Sequence, residues 1–202
     1  MTRVLLFDMG NVLIRFDSRI ALAKLANRTT YSPDQMIRLL KDWGAIWDYE
    51  CGRLETQQFF TAICSHLNLC DLTLQEFMSI WSGVFFDDML ISPDTLRSLR
   101  RQHRLMLLSN TNAMHFDFIR HKFPVVAEFD ETLLSYQLGL MKPDPRIFAE
   151  AVARARCEPS EIFYIDDIEE NVQAAHSVGI PGIRFESEVQ LLRELKKWGI
   201  KV

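Results

Sequence analysis

The sequence VLLFDMGNV at residues 4–12 joins an apolar run, Val4 to Phe7, to a carboxylate at Asp8 and a glycine turn directly after it. A short apolar run bounded by polar and turn residues is typical of a strand that is buried on both faces. An open α/β sheet holds its reactive groups at the carboxyl ends of such strands. The stretch therefore predicts a buried strand that delivers Asp8 to the reactive edge of a sheet.

The same arrangement recurs twice later in the chain, as LMLLSN at residues 105–110 and as IFYIDD at residues 162–167. Further strands are predicted at residues 131–135 and 182–185, with helical patterns between the strands. Strands that alternate with helices indicate right-handed crossovers and a parallel sheet that is covered on both faces. We therefore expect an α/β fold in which the polar ends of three strands meet at one edge.

A long helical pattern separates the first strand from the others. From residue 18 to about residue 86 the apolar side chains recur at helical spacing. Capping boxes at Ser32 and Thr73 mark the starts of two helices in this block, and Ser92 followed by proline opens another helix beyond it.

This helical block is predicted to be an insertion. The strand before residue 15 has to join the later strands to complete the sheet. Residues 15–88 are therefore expected to form a small helical cap over the carboxyl edge of the sheet, and residues 1–14 and 89–202 the core. Residues 15–17 and 87–88 would be the natural hinges of the cap.

Composition excludes several classes of protein. The 202 residues are 48% hydrophobic and 25% charged, as in an ordinary soluble globular protein. No apolar run approaches the ~20 residues that span a bilayer, and the net charge of −4 argues against a nucleic-acid surface. The amino terminus enters the first strand without a signal region, so we expect a cytoplasmic protein that binds neither membranes nor nucleic acid. The four cysteines lack the spacing of a metal site or disulfide framework and are expected to be reduced thiols.

The acids at the strand ends suggest chemistry on phosphate. Asp8 is a candidate nucleophile, because a carboxylate can accept a phosphoryl group or an alkyl centre and release it in a second step. Asp166 and Asp167 offer hard oxygen ligands for Mg²⁺. Three neighbouring carboxylates need a cation, since their repulsion would otherwise raise at least one pKa sharply.

Three further residues could hold a phosphoryl group. Ser109 and Asn110 end a strand before a predicted helix, where a hydroxyl and backbone N–H groups can bind an anion. Lys142 adds the positive charge that phosphoryl transfer needs, and Pro143 restricts it to an extended conformation. Ser109, Asn110 and Lys142 are thus the predicted phosphate-binding residues, and Asp8, Ser109 and Lys142 the predicted catalytic ones.

Together these residues form a family signature, and over nearly its whole length the chain resembles the haloacid dehalogenase superfamily of hydrolases. Its four motifs appear in order as FDMGNV at residues 7–12, LSNTN at 108–112, KPD at 142–144, and YIDD at 164–167 followed by Asn171. The resemblance implies a Rossmann-like three-layer sandwich with a mostly parallel sheet, and a helical cap inserted after the first strand. Asn171 would help to fix Asp167 or the Lys142 region, or would cap its own helix.

The resemblance also implies an activity. It points to a phosphatase that hydrolyses a small phosphate monoester through a covalent aspartyl-phosphate on Asp8, acting as a monomer or homodimer on a small phosphorylated metabolite. Mg²⁺ would be held by Asp8, the backbone carbonyl of Gly10 and Asp166, with Asp167 assisting. The sequence around Asp8 is most similar to a sugar-phosphatase-like branch in which glucose 1-phosphate is a substrate.

One departure from the family pattern concerns the proton donor. Most phosphatases of the superfamily carry a second Asp two residues after the nucleophile, where this chain has Gly10. Asp17, Asp48 or Glu50 could supply the proton instead. Alternatively, the substrate could carry a good leaving group, as an anomeric sugar phosphate does, or hydrolysis could be vestigial.

Two other functions remain open at this stage. A 2-haloacid dehalogenase also needs no second Asp, because halide leaves without a proton. However, it needs no Mg²⁺ either, and Asp166 and Asp167 would then repel Asp8. A weakly catalytic regulatory or binding member of the fold is the other alternative, against which the joint presence of Asp8, Ser109 and Lys142 argues.

Overall fold

The structure, a computed structural model, describes residues 2–41 and 43–201. Its strands are β1 (Val4–Phe7), β2 (Ile14–Phe16), β3 (Phe85–Met89), β4 (Arg104–Ser109), β5 (Glu131–Leu134), β6 (Ile162–Asp166) and β7 (Gly182–Arg184). Its α-helices are α1 (Arg19–Leu25), α2 (Pro33–Lys41), α3 (Gly44–Glu50), α4 (Thr56–His66), α5 (Leu74–Ser82), α6 (Pro93–Arg100), α7 (Ala113–Lys122), α8 (Ser135–Leu138), α9 (Pro145–Ala155), α10 (Glu169–Ser177) and α11 (Glu188–Lys197).

The main sheet is parallel throughout and has the spatial order β5-β4-β1-β6-β7. The central strand β1 pairs with β4 and β6, and Val4 lies opposite both Arg104 and Ile162. Because the strands run in one direction, the residues that follow β1, β4 and β6 share one edge. The predicted α/β fold and its parallel sheet are confirmed.

Alternate residues of β1 point to opposite faces of the sheet, as the two-residue period of a strand requires. Leu5 and Phe7 pack with apolar residues of α6, α7 and α11. Val4 and Leu6 pack with residues of α9 and α10 on the other face. Helices thus cover both faces, which explains why the sequences of β1, β4 and β6 are apolar without alternation.

The helices α1 to α5 build a third apolar cluster. Leu25 of α1, Met36 of α2, Phe59 of α4 and Phe77 of α5 are fully buried in it, and Met114 of α7 contributes from the other side. The capping boxes predicted at Ser32 and Thr73 are present. This cluster supports the proposed cap, although the division into domains at residues 15–88 stays a prediction.

The base of the helical block contains two strands that the sequence pattern does not predict. The pattern indicates helix up to about residue 86, whereas β3 pairs antiparallel with β2, Phe16 lying opposite Phe85 and Ile14 opposite Met89. Both strands are short, and Ile14 is their only fully buried residue, so they lack the apolar signature of the buried strands. The predicted hinge segments, residues 15–17 and 87–88, therefore lie within or beside this two-stranded ribbon.

Two compositional expectations can be compared with the described residues. Among them, no helix combines the length and the apolar character required to cross a bilayer. All four cysteines are free thiols.

Candidate active site

The edge formed by β1, β4 and β6 gathers the predicted catalytic side chains. Asp8 follows β1, Ser109 ends β4 and Asp166 ends β6. Lys142 reaches the same place from the loop before α9. All four side chains are buried, with Asp166 fully enclosed and Asp8 7% exposed. Charged groups are rarely buried without partners, so this clustering marks a site that the fold maintains against a desolvation cost.

Lys142 joins two of the carboxylates. Its Nζ lies 2.7 Å from Oδ1 of Asp8 and 2.7 Å from Oδ2 of Asp166. Its backbone is held by Asn110, whose Nδ2 donates to the Lys142 carbonyl at 2.9 Å and whose Oδ1 accepts from the Lys142 N–H at 2.8 Å. The side-chain amide of Asn110 therefore positions the lysine.

Asp166 accepts several further hydrogen bonds. Nδ2 of Asn171 donates to both carboxylate oxygens at 3.1 Å, the backbone N–H of Ile168 donates at 2.8 Å, and the Tyr164 hydroxyl donates to Oδ2. The partner of Asn171 is thus Asp166, not Asp167 or the Lys142 loop, and the N-cap of its helix is Ile168. Tyr164 was missed by sequence reasoning, although its position two residues before Asp166 places both on one face of β6.

Burial and the lysine act in opposite directions on the two acids. Burial raises the pKa of Asp8, and the Lys142 ammonium only partly offsets this effect. Burial also disfavours the charge of Asp166, but Lys142 and the hydrogen bonds from Tyr164 and the Ile168 N–H together lower its pKa. The two carboxylates in turn outweigh burial for Lys142 and raise the pKa of its ammonium. The arrangement thus keeps Asp166 charged, as a metal ligand must be.

Carboxylate oxygens of Asp8, Asp166 and Asp167 lie within 4.8 Å of one another. Asp167 is half-buried, and burial together with the charge of Asp166 raises its pKa. The three carboxylates carry more negative charge than the single ammonium of Lys142 can balance, and the site is largely shielded from water. A divalent cation with oxygen ligands would balance that charge, so the residues present fit Mg²⁺.

A side chain at position 10 would require the ring of Phe16 to move. A Cβ atom built on Gly10 would lie 2.8 Å from the ring of Phe16. The turn between them is shaped by Asn11, which has a left-handed backbone (φ 54°) and whose Oδ1 accepts from the Phe16 N–H at 3.3 Å. The ring of Phe16 thus occupies space that an aspartate at position 10 would need.

A cavity of about 420 Å³ lies between this edge and the helical block. Met9, Gly10 and residues 109–112 form its floor. The opposite wall is largely apolar and is lined by Phe16, Ala21, Leu22, Ile37, Leu40, Ile46, Phe59, Trp81, Val84 and Phe85. His115 also borders the cavity, and burial lowers its pKa to about 4, so its ring carries no charge at neutral pH.

Glu50 is the only carboxylate among the described residues that line this cavity. It ends α3, and burial raises its pKa to about 7. The other two acids considered as proton donors do not line the cavity. Oδ1 of Asp17 accepts from the Arg19 N–H at 2.9 Å, and Asp48 pairs with Arg53 at 2.9 Å on the surface.

The chain is similar in sequence and in fold to known hydrolases. D-ribitol-5-phosphate phosphatase of Bacteroides thetaiotaomicron is 28% identical over 96% of this chain and 97% of its own length. Sesquiterpene phosphatase astK of Aspergillus oryzae is 24% identical, with 95% of this chain and 94% of that protein covered. A crystal structure of a HAD family enzyme from B. thetaiotaomicron, in complex with magnesium and inorganic phosphate, superposes with a TM-score of 0.83 at 26% identity, covering 93% of this chain and 96% of that one.

The family model for haloacid dehalogenase-like hydrolases matches residues 2–179, which include every residue of the site described above. The resemblance stated from the four motifs is thereby confirmed. This chain belongs to the haloacid dehalogenase-like hydrolase family.

Proposed function

We propose that the protein is a Mg²⁺-dependent phosphatase that hydrolyses a small phosphate monoester through an aspartyl-phosphate on Asp8. The observation that carries this proposal is the position of the Lys142 ammonium, 2.7 Å from both Asp8 and Asp166 at the shared strand edge. It supports the proposal because a candidate nucleophile, a positive charge and candidate metal ligands lie within reach of one another. Two relatives are named phosphatases, and the similar crystal structure holds magnesium and phosphate.

Mg²⁺ would be held by Asp8, the backbone carbonyl of Gly10, Asp166 and Asp167. When bound, it would neutralise charge on the phosphoryl oxygens and on the clustered acids. Asn171 and Tyr164 would keep Asp166 in one orientation, because both donate to its carboxylate.

The chain's own residues then act on the phosphoryl group. A carboxylate oxygen of Asp8 attacks phosphorus, the bond from phosphorus to the substrate oxygen breaks, and the alcohol leaves. Ser109 and the backbone N–H of Asn110 hold the phosphoryl oxygens together with Lys142, whose charge stabilises the transition state. Water then attacks the aspartyl-phosphate, which releases inorganic phosphate and regenerates Asp8.

The substrate is expected to be a small phosphorylated metabolite, and sugar phosphates such as glucose 1-phosphate belong in the first panel. The dehalogenase alternative is disfavoured by the charge at the site. Asp166 and Asp167 would add repulsion to a reaction that uses no cation, although Lys142 offsets part of it. Release of chloride from 2-chloropropionate without added metal would nevertheless favour that alternative.

The test is a panel of phosphate monoesters assayed with and without Mg²⁺. Asp8→Asn should lower phosphate release at least ~10³-fold, because the nucleophile is removed. Asp94→Asn is a matched control, since Asp94 lies on the surface at the start of α6 and pairs with Arg97. If the wild type releases no phosphate above the level of Asp8→Asn on any ester, the proposed function is wrong and a binding role becomes the better account.

A further inference from the structure

Four polar side chains at the cavity wall, those of Tyr49, Asn110, Asn112 and His115, already have hydrogen-bond partners, whereas the buried Nε1 of Trp81 has none among the described residues. The Tyr49 hydroxyl bonds to Thr56 and accepts from the Met114 N–H, and the side chains of Asn112 and His115 bond to each other. Ser18 and Lys41 lie at the exposed rim. A sugar or polyol would find few free groups here besides the Trp81 N–H, Glu50 and the rim, and each of its hydroxyl groups left without a partner would cost roughly 1–3 kcal/mol.

The apolar wall suits a different class of alcohol. Leu22, Leu40 and Phe59 are buried, and Trp81 and Phe85 add aromatic surface beside them. A cavity of this volume falls in the range of about 300–1,000 Å³ that holds small-molecule ligands. Contact with an alkyl or alicyclic group would remove apolar surface from water on both sides, at roughly 25 cal/mol per Å².

Within this wall Glu50 has neither a cation nor a hydrogen-bond donor as a partner among the described residues. The cause that raises its pKa is burial alone, so a large fraction of its carboxyl groups carries a proton near neutral pH. It borders the cavity together with Met9, Gly10 and Ser109, which flank the phosphoryl site. An alkoxide needs a proton when it leaves, and position 10 offers none.

We infer that the site hydrolyses phosphate monoesters of apolar alcohols and that Glu50 is the catalytic residue that protonates the departing alcohol oxygen. This inference rests on the proposed function. As Asp8 bonds to phosphorus, the phosphorus–oxygen bond to the alcohol breaks and its electron pair goes to the alcohol oxygen. That oxygen takes the Glu50 proton. The Glu50 carboxylate then takes a proton from the water that attacks phosphorus. The bond between phosphorus and the Asp8 oxygen breaks, and its electron pair returns to Asp8.

The test compares leaving groups in the wild type and in Glu50→Gln. n-Hexyl phosphate needs a proton donor because its alkoxide is a poor leaving group, whereas 4-nitrophenyl phosphate does not. General acid catalysis is typically worth ~10²–10⁴ in rate. We expect kcat/KM for n-hexyl phosphate to fall by about that factor in Glu50→Gln, while the value for 4-nitrophenyl phosphate changes less than about threefold. Asp48→Asn, on the same helix but outside the cavity, should change neither.

Other outcomes would overturn the inference. An equal loss on both esters would indicate a structural role for Glu50, and no loss on either would exclude it as the donor. If wild-type kcat/KM is higher for glucose 6-phosphate or glucose 1-phosphate than for n-hexyl phosphate, the apolar substrate class is wrong. If Glu50→Gln does not fold, the inference is tested with the wild type by measuring kcat/KM for a series of esters. A steep dependence of kcat/KM on the pKa of the leaving alcohol would show that no group donates a proton to it. Wild-type activity no higher than that of Asp8→Asn on all esters would instead refute the proposed function.

Discussion

Replacing Glu50 by glutamine should stabilise the protein above neutral pH. Burial raises the pKa of Glu50 in the folded protein to about 7, against 4.5 for an ordinary glutamate. Below pH 4.5 the carboxyl is protonated in both states and has no effect on their balance. Between these values the unfolded chain loses the proton while the folded protein retains it, so stability falls as the pH rises. Above pH 7 the carboxyl is charged in both states, and the folded protein is destabilised by the full amount.

The size of the effect follows from the two pKa values. Their separation corresponds to about 3 kcal/mol at 1.36 kcal/mol per pH unit, and partial exposure of the side chain reduces this to about 2–3 kcal/mol. Glutamine has nearly the same shape and no charge, so the substitution should recover this amount at pH 8.5 and very little at pH 4.5. For a chain of this length, the gain corresponds to a rise in Tm of roughly 5–10 °C.

Urea and thermal unfolding of the wild type and of Glu50→Gln between pH 4.5 and 8.5 would measure this difference in stability. Glu186→Gln serves as the control, because Glu186 is exposed near the amino end of α11 and its replacement should have little effect at any pH. A stability difference between wild type and Glu50→Gln that does not change with pH would refute the reasoning. Loss of stability at pH 8.5 would refute it as well.

Two further substitutions test the geometry of the site. Gly10→Asp should destabilise the fold by about 1–3 kcal/mol because its Cβ meets the ring of Phe16, and Phe16→Ala should relieve most of that loss in a double-mutant cycle measured by urea unfolding. Additive losses would show that the ring is not the obstacle. Lys142→Met should lower the free energy of unfolding, measured with urea in the presence of EDTA, by about 3–5 kcal/mol, because Asp8 and Asp166 are left buried without their cation. A decrease below about 1 kcal/mol would show that the lysine does not neutralise them.

The sheet and three of its polar strand ends could be predicted from short stretches of sequence. Each buried strand is an apolar run, and parallel strands carry the residues that follow them to the same edge. This local rule is sufficient to bring Asp8, Ser109 and Asp166 together. The rule does not predict the strand pair β2–β3, because most of these residues are only partly buried or exposed and their pairing depends on the chain returning from the helical block.

The roles of individual side chains required the three-dimensional arrangement. Asn110 was expected to bind phosphate, yet both ends of its amide bond to the Lys142 backbone, a contact between residues 32 positions apart. Nor does the sequence distinguish Glu50 from Asp17 and Asp48, since all three are acids near the expected site. Which of them lines the cavity depends on how α3 packs, and spacing along the chain does not determine that.

The central position of β1 imposes an order on biosynthesis. Both neighbours of this strand lie far along the chain, so Val4 can pair with Arg104, and later with Ile162, only after those residues have been synthesised. At a translation rate of about 5–20 residues per second, about 8–30 s pass between synthesis of β1 and synthesis of β6. Until β4 is made, the apolar strand β1 has no partner, and an unpaired apolar strand favours aggregation. The site that holds Asp8 can therefore form only near the end of synthesis, when Lys142 and Asp166 have also been made.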